Sequence, residues 1–315
     1  MDSSLIETIH YIFNPILIIF GFFIITINVL IIYIIIAKFT ERSTEIKLTF
    51  ILCIIETIQG IFITIWAIAK LIVGYTWFES YSIQCIMEAT VEWSCVRFGL
   101  FTLAILSVLR YLTVCHKKEK SFKFWIIVWL ITVSPIFVLF FYIPSNQDAV
   151  HTSSWLFCTI FSYSDPVLSI LGAIMPFVFL IPCWTITFCY CCIGYTANKQ
   201  LNVIKSQAIA ENNTNLLTVV KKQKLKLVIQ ILVIFIVYNA NYMVSYVTQT
   251  LKYAVGYKRP PILDAATYIM FNEPAAINPL ITITFQPELN NELNLILLKF
   301  QVKVKNLIKR IFSSQ

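Results

Sequence analysis

The chain has 315 residues, of which 58% are hydrophobic and 13% are charged, and its mean hydropathy is +0.79. An ordinary soluble domain carries roughly 25% charged residues, so this composition excludes a protein whose main solvent is water. The net charge is +8 at pH 7, and the places where the positive charges lie are more informative than their total.

Seven long apolar stretches, separated by short polar segments, follow one another along the chain. A helix needs about 20 apolar residues to cross a hydrocarbon core of ~30 Å. The stretches show neither the period-two alternation of membrane barrel strands nor the polar outer faces of helices in soluble proteins. The sequence predicts an all-α membrane protein with a seven-transmembrane helix bundle, whose spans one to seven lie at 14–37, 48–70, 86–113, 123–143, 167–194, 225–250 and 262–285.

Short segments flank the predicted bundle. We expect residues 1–13 to form an extracellular tail, residues 14–285 a single transmembrane domain, and residues 286–315 a cytoplasmic segment. In this last segment Pro287 precedes spaced leucines and lysines. That pattern predicts a short amphipathic helix on the membrane surface after span seven.

Lysine and arginine lie mainly on one side of the predicted bundle. They cluster after spans one, three, five and seven, whereas residues 1–13 and 144–166 contain neither. Positive charge stays on the cytoplasmic side of a membrane. We therefore expect a multi-pass protein of the plasma membrane with its N-terminus outside and its C-terminus inside.

Two of the nine cysteines, Cys85 and Cys158, fall on the predicted outer side. Disulfides persist in that oxidising compartment. The two cysteines are expected to pair and to tie the start of span three to the second outer loop. The alternative is a pair of free thiols.

Several spans carry polar motifs in a definite order and spacing. These are Asn28 in span one, Leu52 and Glu56 in span two, Leu109, Arg110 and Tyr111 in span three, and Asn278 and Pro279 in span seven. Cys85 lies twenty-five residues before Arg110. Together these motifs resemble rhodopsin-like (class A) G-protein-coupled receptors over nearly the whole chain. The chain is divergent, with Leu109 at the family's acidic position, and in this it resembles the chemosensory serpentine receptors of nematodes.

The resemblance implies a receptor that binds an extracellular ligand in the outer half of the bundle and activates a heterotrimeric G protein inside. Its expected partners are a small-molecule or peptide ligand, the G protein and the lipid bilayer, with no nucleic acid, cofactor or metal. An alternative is a transporter or channel whose intramembrane carboxylates line a path. An enzyme is not expected, because no histidine lies within a span and no nucleophile motif is present.

Three polar residues stand where the family builds a polar core. Asn28, Glu56 and Asn278 occupy these positions, and the resemblance implies a water-filled site that often holds sodium. The alternative is a protonated Glu56 that stabilises helix packing through a hydrogen bond. Both interpretations place Glu56 at a helix contact.

Span three carries a group of ionisable residues in its outer half. Glu88 and Glu92 are four residues apart on one helix face, and Arg97 follows five residues later. Glu92 lies eighteen residues before Arg110, where amine receptors of the family carry their ligand-binding aspartate. A cationic ligand could pair with Glu92. The alternative is an internal salt bridge to Arg97 or to another span.

Spans six and seven contribute further candidate ligand-binding residues. When Phe235 is aligned with the family's span-six phenylalanine, Asn239 and Asn241 stand at the tryptophan and proline positions. A proline kink is therefore not encoded. The remaining candidates, whose aromatic members could instead simply pack, are Tyr238, Tyr242 and Glu273.

The inner end of span three is the candidate coupling site. Arg110 could act as the pivot for G-protein binding or could be an interface arginine that reaches the head groups. Because Leu109 offers no acceptor, Arg110 is expected to be less restrained unless another group, such as Glu45 or an inner-loop carbonyl, replaces the acid. The other candidates, which could contact the G protein or acidic lipids, are Tyr111, Lys221, Lys222 and Lys224.

Overall fold

The computed structural model describes residues 3–40, 42–146, 149–160 and 166–313. This part of the chain is almost entirely helical. The helices are α1 (Ser3–Lys38), α2 (Thr44–Ile72), α3 (Ile83–His116), α4 (Phe122–Asn146), α5 (Pro166–Ala210), α6 (Thr214–Phe235), α7 (Asn241–Val255), α8 (Pro261–Phe285) and α9 (Pro287–Ser313). Two short strands, β1 (Ala149–His151) and β2 (Cys158–Ile160), pair antiparallel with Ala149 opposite Ile160.

The predicted spans fall within these helices. Spans one to five lie in α1 to α5, span six runs through α6 and α7, and span seven is α8. Within the described residues, five helices have the length and hydropathy to cross a membrane: Ser4–Lys38, Thr44–Ile72, Ile83–His116, Phe177–Ala210 and Thr214–Lys252. Helices α4 and α8 have 25 residues each. At ~1.5 Å per residue, that length also exceeds a hydrocarbon core of ~30 Å.

Several helices extend beyond the apolar stretches that predicted them. Helix α1 begins at Ser3, so the described part of the expected tail continues the first helix. Helix α5 continues to Ala210, and α6 begins after Asn213, whose side-chain oxygen accepts from the Leu216 N–H at 3.0 Å. Such a capping bond satisfies one of the free N–H groups at a helix start. Hydropathy predicts the membrane-buried part of a helix and not its full length.

The β-hairpin formed by β1 and β2 covers one end of the bundle, the outer end. The opposite end is the inner end. The predicted disulfide between Cys85 and Cys158 is present and joins the start of α3 to β2. The Trp93 indole N–H also donates to the Cys158 carbonyl at 3.3 Å. The Tyr81 N–H donates to the Ala149 carbonyl at 2.7 Å. Covalent and polar contacts therefore attach the hairpin to α3 and to the loop that precedes it.

A π-helical turn at Ile236–Ala240 joins α6 to α7. The chain thus distorts span six at the place where the sequence encodes no proline kink. Asn239, within this turn, donates to the Thr187 hydroxyl oxygen of α5 at 2.6 Å and to the Phe235 carbonyl at 3.2 Å. Single π turns inside α-helices occur frequently at functional sites.

Helices α1 and α2 pack closely at a pair of glycines. A Cβ atom placed on Gly60 would lie 2.9 Å from Ile24 Cγ2 and 3.1 Å from the Gly21 carbonyl oxygen. Small residues allow membrane helices to approach in this way. In α3, by contrast, a Cβ on Gly99 would lie 4.0 Å from its nearest neighbour, on Leu52.

Gly60→Ala is expected to destabilise the bundle, because the added methyl group would force α1 and α2 apart. The loss should be of the order of the 1–3 kcal/mol that overpacking costs, and thermal unfolding in detergent micelles, followed by circular dichroism, measures it. Gly99→Ala is the matched control and should unfold close to the wild-type temperature. Equal unfolding temperatures for Gly60→Ala and the wild type would contradict the close approach of the two helices.

Candidate functional site

Helix α3 crosses the centre of the bundle and carries four buried ionisable side chains. Glu88, Glu92, Arg97 and Arg110 are each at most 5% exposed. An ionisable residue within a membrane span costs roughly 2.5–3.5 kcal/mol on insertion scales. The partners of these four residues therefore define the polar architecture of the protein.

A cavity of about 370 Å³ opens at the outer end between the hairpin, α3, α7 and α8. Aromatic side chains form much of its wall, including Trp93, Phe157, Tyr268 and Phe271. Glu92 also lines it. The cavity thus combines an apolar surface with a few charged groups, as small-molecule sites commonly do. Besides Glu92 of α3, the charged residues that line it are Asp264, Lys252, Lys258 and Arg259.

Glu92 pairs with neutral donors from α8. Its carboxylate accepts from the Tyr268 hydroxyl at 2.8 Å and from the Asn272 side-chain amide at 3.0 Å. Each carboxylate oxygen has a second lone pair, so these bonds leave further accepting capacity beside the cavity. Among the described residues, the internal partners of Glu92 are therefore neutral groups of another span, and the alternative of a salt bridge to Arg97 or to another span is not formed.

Glu88 is part of a buried ion pair and does not line this cavity. Its carboxylate contacts the Lys70 ammonium of α2, and both side chains are at most 1% exposed. Lys70 also donates to the Leu156 carbonyl at 2.6 Å and lies 4.6 Å from the centroid of the Phe78 ring. This pair connects α2, α3 and the outer loops. Lys70 was not predicted as a partner, although it lies at the outer end of span two.

Arg97 lies against aromatic rings between α3 and α5. Its guanidinium carbon is 4.6 Å from the Trp93 ring centroid and 5.1 Å from that of Phe179. It also donates to the Trp93 carbonyl at 3.0 Å. Cation–π contacts of this kind are strong where water is excluded.

A second, smaller cavity of about 10 Å³ lies deeper in the bundle. Glu56, Asn278, Tyr238 and Tyr242 line it, together with Gln59. The Asn278 amide donates to the Glu56 carboxylate, and the Tyr238 hydroxyl donates to the Asn278 oxygen. The space is about that of one water molecule. Tyr238 and Tyr242 therefore belong to this inner layer and do not line the outer cavity.

The remaining predicted residues of these layers join neighbouring helices. Asn28 donates to the Ile24 carbonyl at 3.0 Å and to the Ala275 carbonyl of α8 at 3.4 Å. Glu273 accepts from the Asn241 side chain at 2.5 Å and does not line the outer cavity. Of the seven predicted ligand-binding residues, only Glu92 borders that cavity.

One residue connects the two cavities. Asn272 donates to Glu92 and accepts from the Gln59 amide at 2.6 Å. Gln59 and Glu56 line the same inner cavity. A chain of hydrogen bonds and shared cavity wall thus leads from the outer carboxylate to the polar residues midway along the bundle.

At the inner end, Arg110 is held by groups from two other helices. Its Nε donates to Glu45 Oε1 of α2 at 2.7 Å, and one terminal nitrogen donates to the Tyr190 hydroxyl of α5 at 2.5 Å. Gln286 donates to the same Glu45 oxygen at 2.8 Å. The acid missing at Leu109 is therefore replaced by Glu45, which is one of the groups expected to restrain Arg110 in its absence. Arg110 is also buried, whereas an arginine that reaches the lipid head groups would be exposed at its charged end.

The other predicted coupling residues lie around this end. The Tyr111 hydroxyl is 2.9 Å from His116 Nε2. Lys224 donates to the Asn202 side chain of α5. Lys221 and Lys222 are exposed on α6.

A polar cluster that was not predicted from the sequence lies at the outer cavity. Asp264 accepts from the Ser154 hydroxyl at 2.7 Å and its N–H at 3.2 Å, and it pairs with Arg259 at 3.4 Å. Arg259 Nε also donates to the Thr248 hydroxyl oxygen at 2.7 Å. Burial lowers the pKa of Arg259, and the neighbouring Asp264 opposes that shift. The short separation of Arg259 and Asp264 is visible in the sequence, but their contact with a loop 110 residues away is not.

Glu88→Gln is expected to destabilise the protein strongly, because Lys70 would keep a buried charge without its counter-ion. Breaking a buried pair in this way costs about 3–5 kcal/mol. Thermal unfolding in micelles measures the loss, and the paired change Lys70→Met with Glu88→Met should recover most of it. Glu92→Gln is the control, since an amide can still accept from Tyr268. If Glu88→Gln were no less stable than Glu92→Gln, the ion pair would not hold the outer end together.

Comparison with known proteins places this arrangement in a family. No curated relative matches the chain. A family model described as 7 transmembrane receptor (rhodopsin family) matches residues 27–281, which is more than half of the 315 residues. The matched range includes Arg110 and the residues of α3 that line the two cavities. Together with the apolar helices, the match supports a multi-pass membrane protein. The chain belongs to the rhodopsin family of seven-transmembrane receptors.

Proposed function

We propose that the protein is a G-protein-coupled receptor that binds a small extracellular ligand in the outer cavity and activates a heterotrimeric G protein at its inner end. One observation carries this proposal. The same helix, α3, presents Glu92 to the outer cavity and holds the paired Arg110 at the inner end. Family membership supports a signalling receptor in general.

Glu92 in the outer cavity favours a small ligand with a cationic group, and the basic side chains of Lys252, Lys258 and Arg259 in the same wall favour a second, anionic group on that ligand. Its volume of about 370 Å³ lies within the ~300–1,000 Å³ of small-molecule sites. An ammonium group could bind the free lone pairs of Glu92 through charge-assisted hydrogen bonds, while the aromatic wall contacts the ligand body. A small chemosensory molecule, or the end of a short peptide, has this chemistry.

Signal transmission would follow the polar contacts of α8. A cationic group bound at the free lone pairs of Glu92 would weaken the carboxylate's bond to the Asn272 amide. Asn272 also contacts Gln59 beside the inner cavity. Ligand binding would thereby shift a pre-existing equilibrium between resting and active arrangements of the bundle.

The proposed active state frees Arg110 from Glu45 and Tyr190, so that it can contact the G protein. Tyr111 and the exposed Lys221 lie at the same end of the bundle. The N-terminus is proposed to be extracellular, because the disulfide-linked hairpin lies at the outer end, where an oxidising compartment preserves it. The chain would then lie in the plasma membrane with its C-terminus in the cytoplasm.

The alternative of a transporter or channel has less support from the carboxylates. Glu56, Glu88 and Glu273 each bind a donor from another helix. Groups that are paired in this way stabilise helix contacts and do not provide an open polar path. Ion flux without G-protein activation in cells that express the protein would favour this alternative.

Glu92→Gln is expected to weaken a cationic agonist, because the charge-assisted bond is lost. The change should correspond to about 1.5–3 kcal/mol in binding free energy. Agonist potency in a cellular G-protein activation assay, with a panel of small amines, checks it. Glu273→Gln is the matched control and should leave potency unchanged, since Glu273 lies outside the cavity wall. If both variants respond like the wild type, Glu92 does not bind the ligand.

Glu45→Gln is expected to raise ligand-independent signalling, because Arg110 loses its charged partner. A loss of about 1 kcal/mol of bias changes a minor active population several-fold. G-protein activation at matched surface expression measures this effect, and wild-type basal signalling should be low. Glu119→Gln, which changes an exposed acid of the neighbouring inner loop, should behave as the wild type. Arg110→Ala should abolish coupling; a silent Glu45→Gln variant would show that Glu45 does not restrain Arg110.

A further inference from the structure

We propose that the groove between the inner halves of α6 and α8 binds an anionic phospholipid of the inner leaflet, given the orientation proposed above. The lipid's acyl chain would occupy the groove, and its phosphate would bind Lys222 and Lys226.

The groove is large and its walls are apolar. Its volume is about 630 Å³. Leu225, Ile229 and Val233 of α6 form one wall, and Ile277 and Leu280 of α8 are on the other. Leu225 is 62% exposed and Leu280 is 44% exposed. Helix α6 packs mainly on α5, so this face is open to the acyl chains of the bilayer, which are as apolar as the leucine side chains that line it.

Two cations lie at the inner end of the groove. Lys222 and Lys226 line it and are four residues apart, so they lie on one face of α6. Neither forms an ion pair with an acidic side chain among the described residues. Lysine binds phosphate as a point charge. The two ammonium groups therefore complement an anionic head group whose acyl chain lies against α6 and α8.

Other occupants fit this surface less well. A second copy of the chain, related by a two-fold axis through the groove, would bring the same lysines of both copies close together, and like charges repel. The groove contains no residue of α3, so it is separate from the Arg110 region where a G protein is proposed to bind. A neutral sterol would leave both lysines without a counter-ion.

Native mass spectrometry of the full chain tests the proposal directly. The purified protein is titrated with dioleoyl phosphatidylserine or with dioleoyl phosphatidylcholine, which has the same acyl chains and no net charge. The wild type should retain the serine lipid several-fold better than the choline lipid. The double variant Lys222→Gln with Lys226→Gln should lose that preference.

A matched control uses the other lysines of the same helix. The double variant Lys221→Gln with Lys224→Gln removes the same charge from positions that do not line the groove, and it should keep the preference. Leu280→Trp should reduce binding of both lipids by filling the groove. Equal loss of preference in the two double variants would overturn the proposal in favour of general surface electrostatics, and a dimer that dissociates in Leu280→Trp would overturn it in favour of a second copy.

A second measurement needs no variant. A phosphatidylserine with a photoactivatable group on its acyl chain is crosslinked to the wild-type protein in bilayer discs, and the labelled peptides are mapped. The proposal expects crosslinks to α6 near Ile229 and to α8 near Leu280. Labelling spread evenly over the lipid-facing helices would overturn it.

Discussion

The hydrocarbon core of a membrane contains no water, so an ionisable side chain within it needs partners inside the protein. Helix α3 brings four such residues into the bundle. Glu88 requires the Lys70 ammonium of α2, Glu92 binds two donors of α8, and Arg110 binds α2 and α5. These requirements fix which helices surround α3 and how each is rotated. The outer hairpin follows from the same helix, because the disulfide begins at its first turn.

The partners also differ in kind, and this difference supports the proposed division between a structural residue, Glu88, and the residues proposed for ligand binding and coupling, Glu92 and Arg110. Glu88 is paired with the charged Lys70 at the outer end. Loss of Lys70 would leave the Glu88 charge buried without a counter-ion. Glu92 has only neutral donors beside a cavity, so a cationic ligand offers it a stronger interaction. Arg110 holds a charged and a neutral partner on different helices. Separation of those helices would release it. The two ends of α3 are thus suited to binding and to response.

The sequence predicted the helices well and their contacts less well, for physical reasons. A helix that spans lipid must be apolar over its whole membrane-buried length, so hydropathy locates the spans. The distribution of lysine and arginine then puts Cys85 and Cys158 on the same, outer side of the membrane. The rotation of a helix that is apolar on all sides is not encoded by its periodicity. For that reason the sequence left open whether Tyr238 and Tyr242 line the ligand site or pack, and their place beside the inner cavity was not predicted. Glu45 takes the place of the acid missing at Leu109 through a contact with Arg110, which lies 65 residues further along the chain. From the sequence, Glu45 was therefore only one of several possible partners. The π turn in span six has no composition signal.

The contact of Arg110 with Glu45 is proposed to hold the inner ends of the helices in a resting arrangement. Distance distributions between spin labels at Val114 of α3 and Val219 of α6, two exposed positions near the inner end, report that arrangement. The account predicts one dominant distance in the wild-type receptor in bilayer discs and a second, longer population in Glu45→Gln. Identical distributions in the two proteins would contradict it, since the inner ends would then be held by something other than this contact.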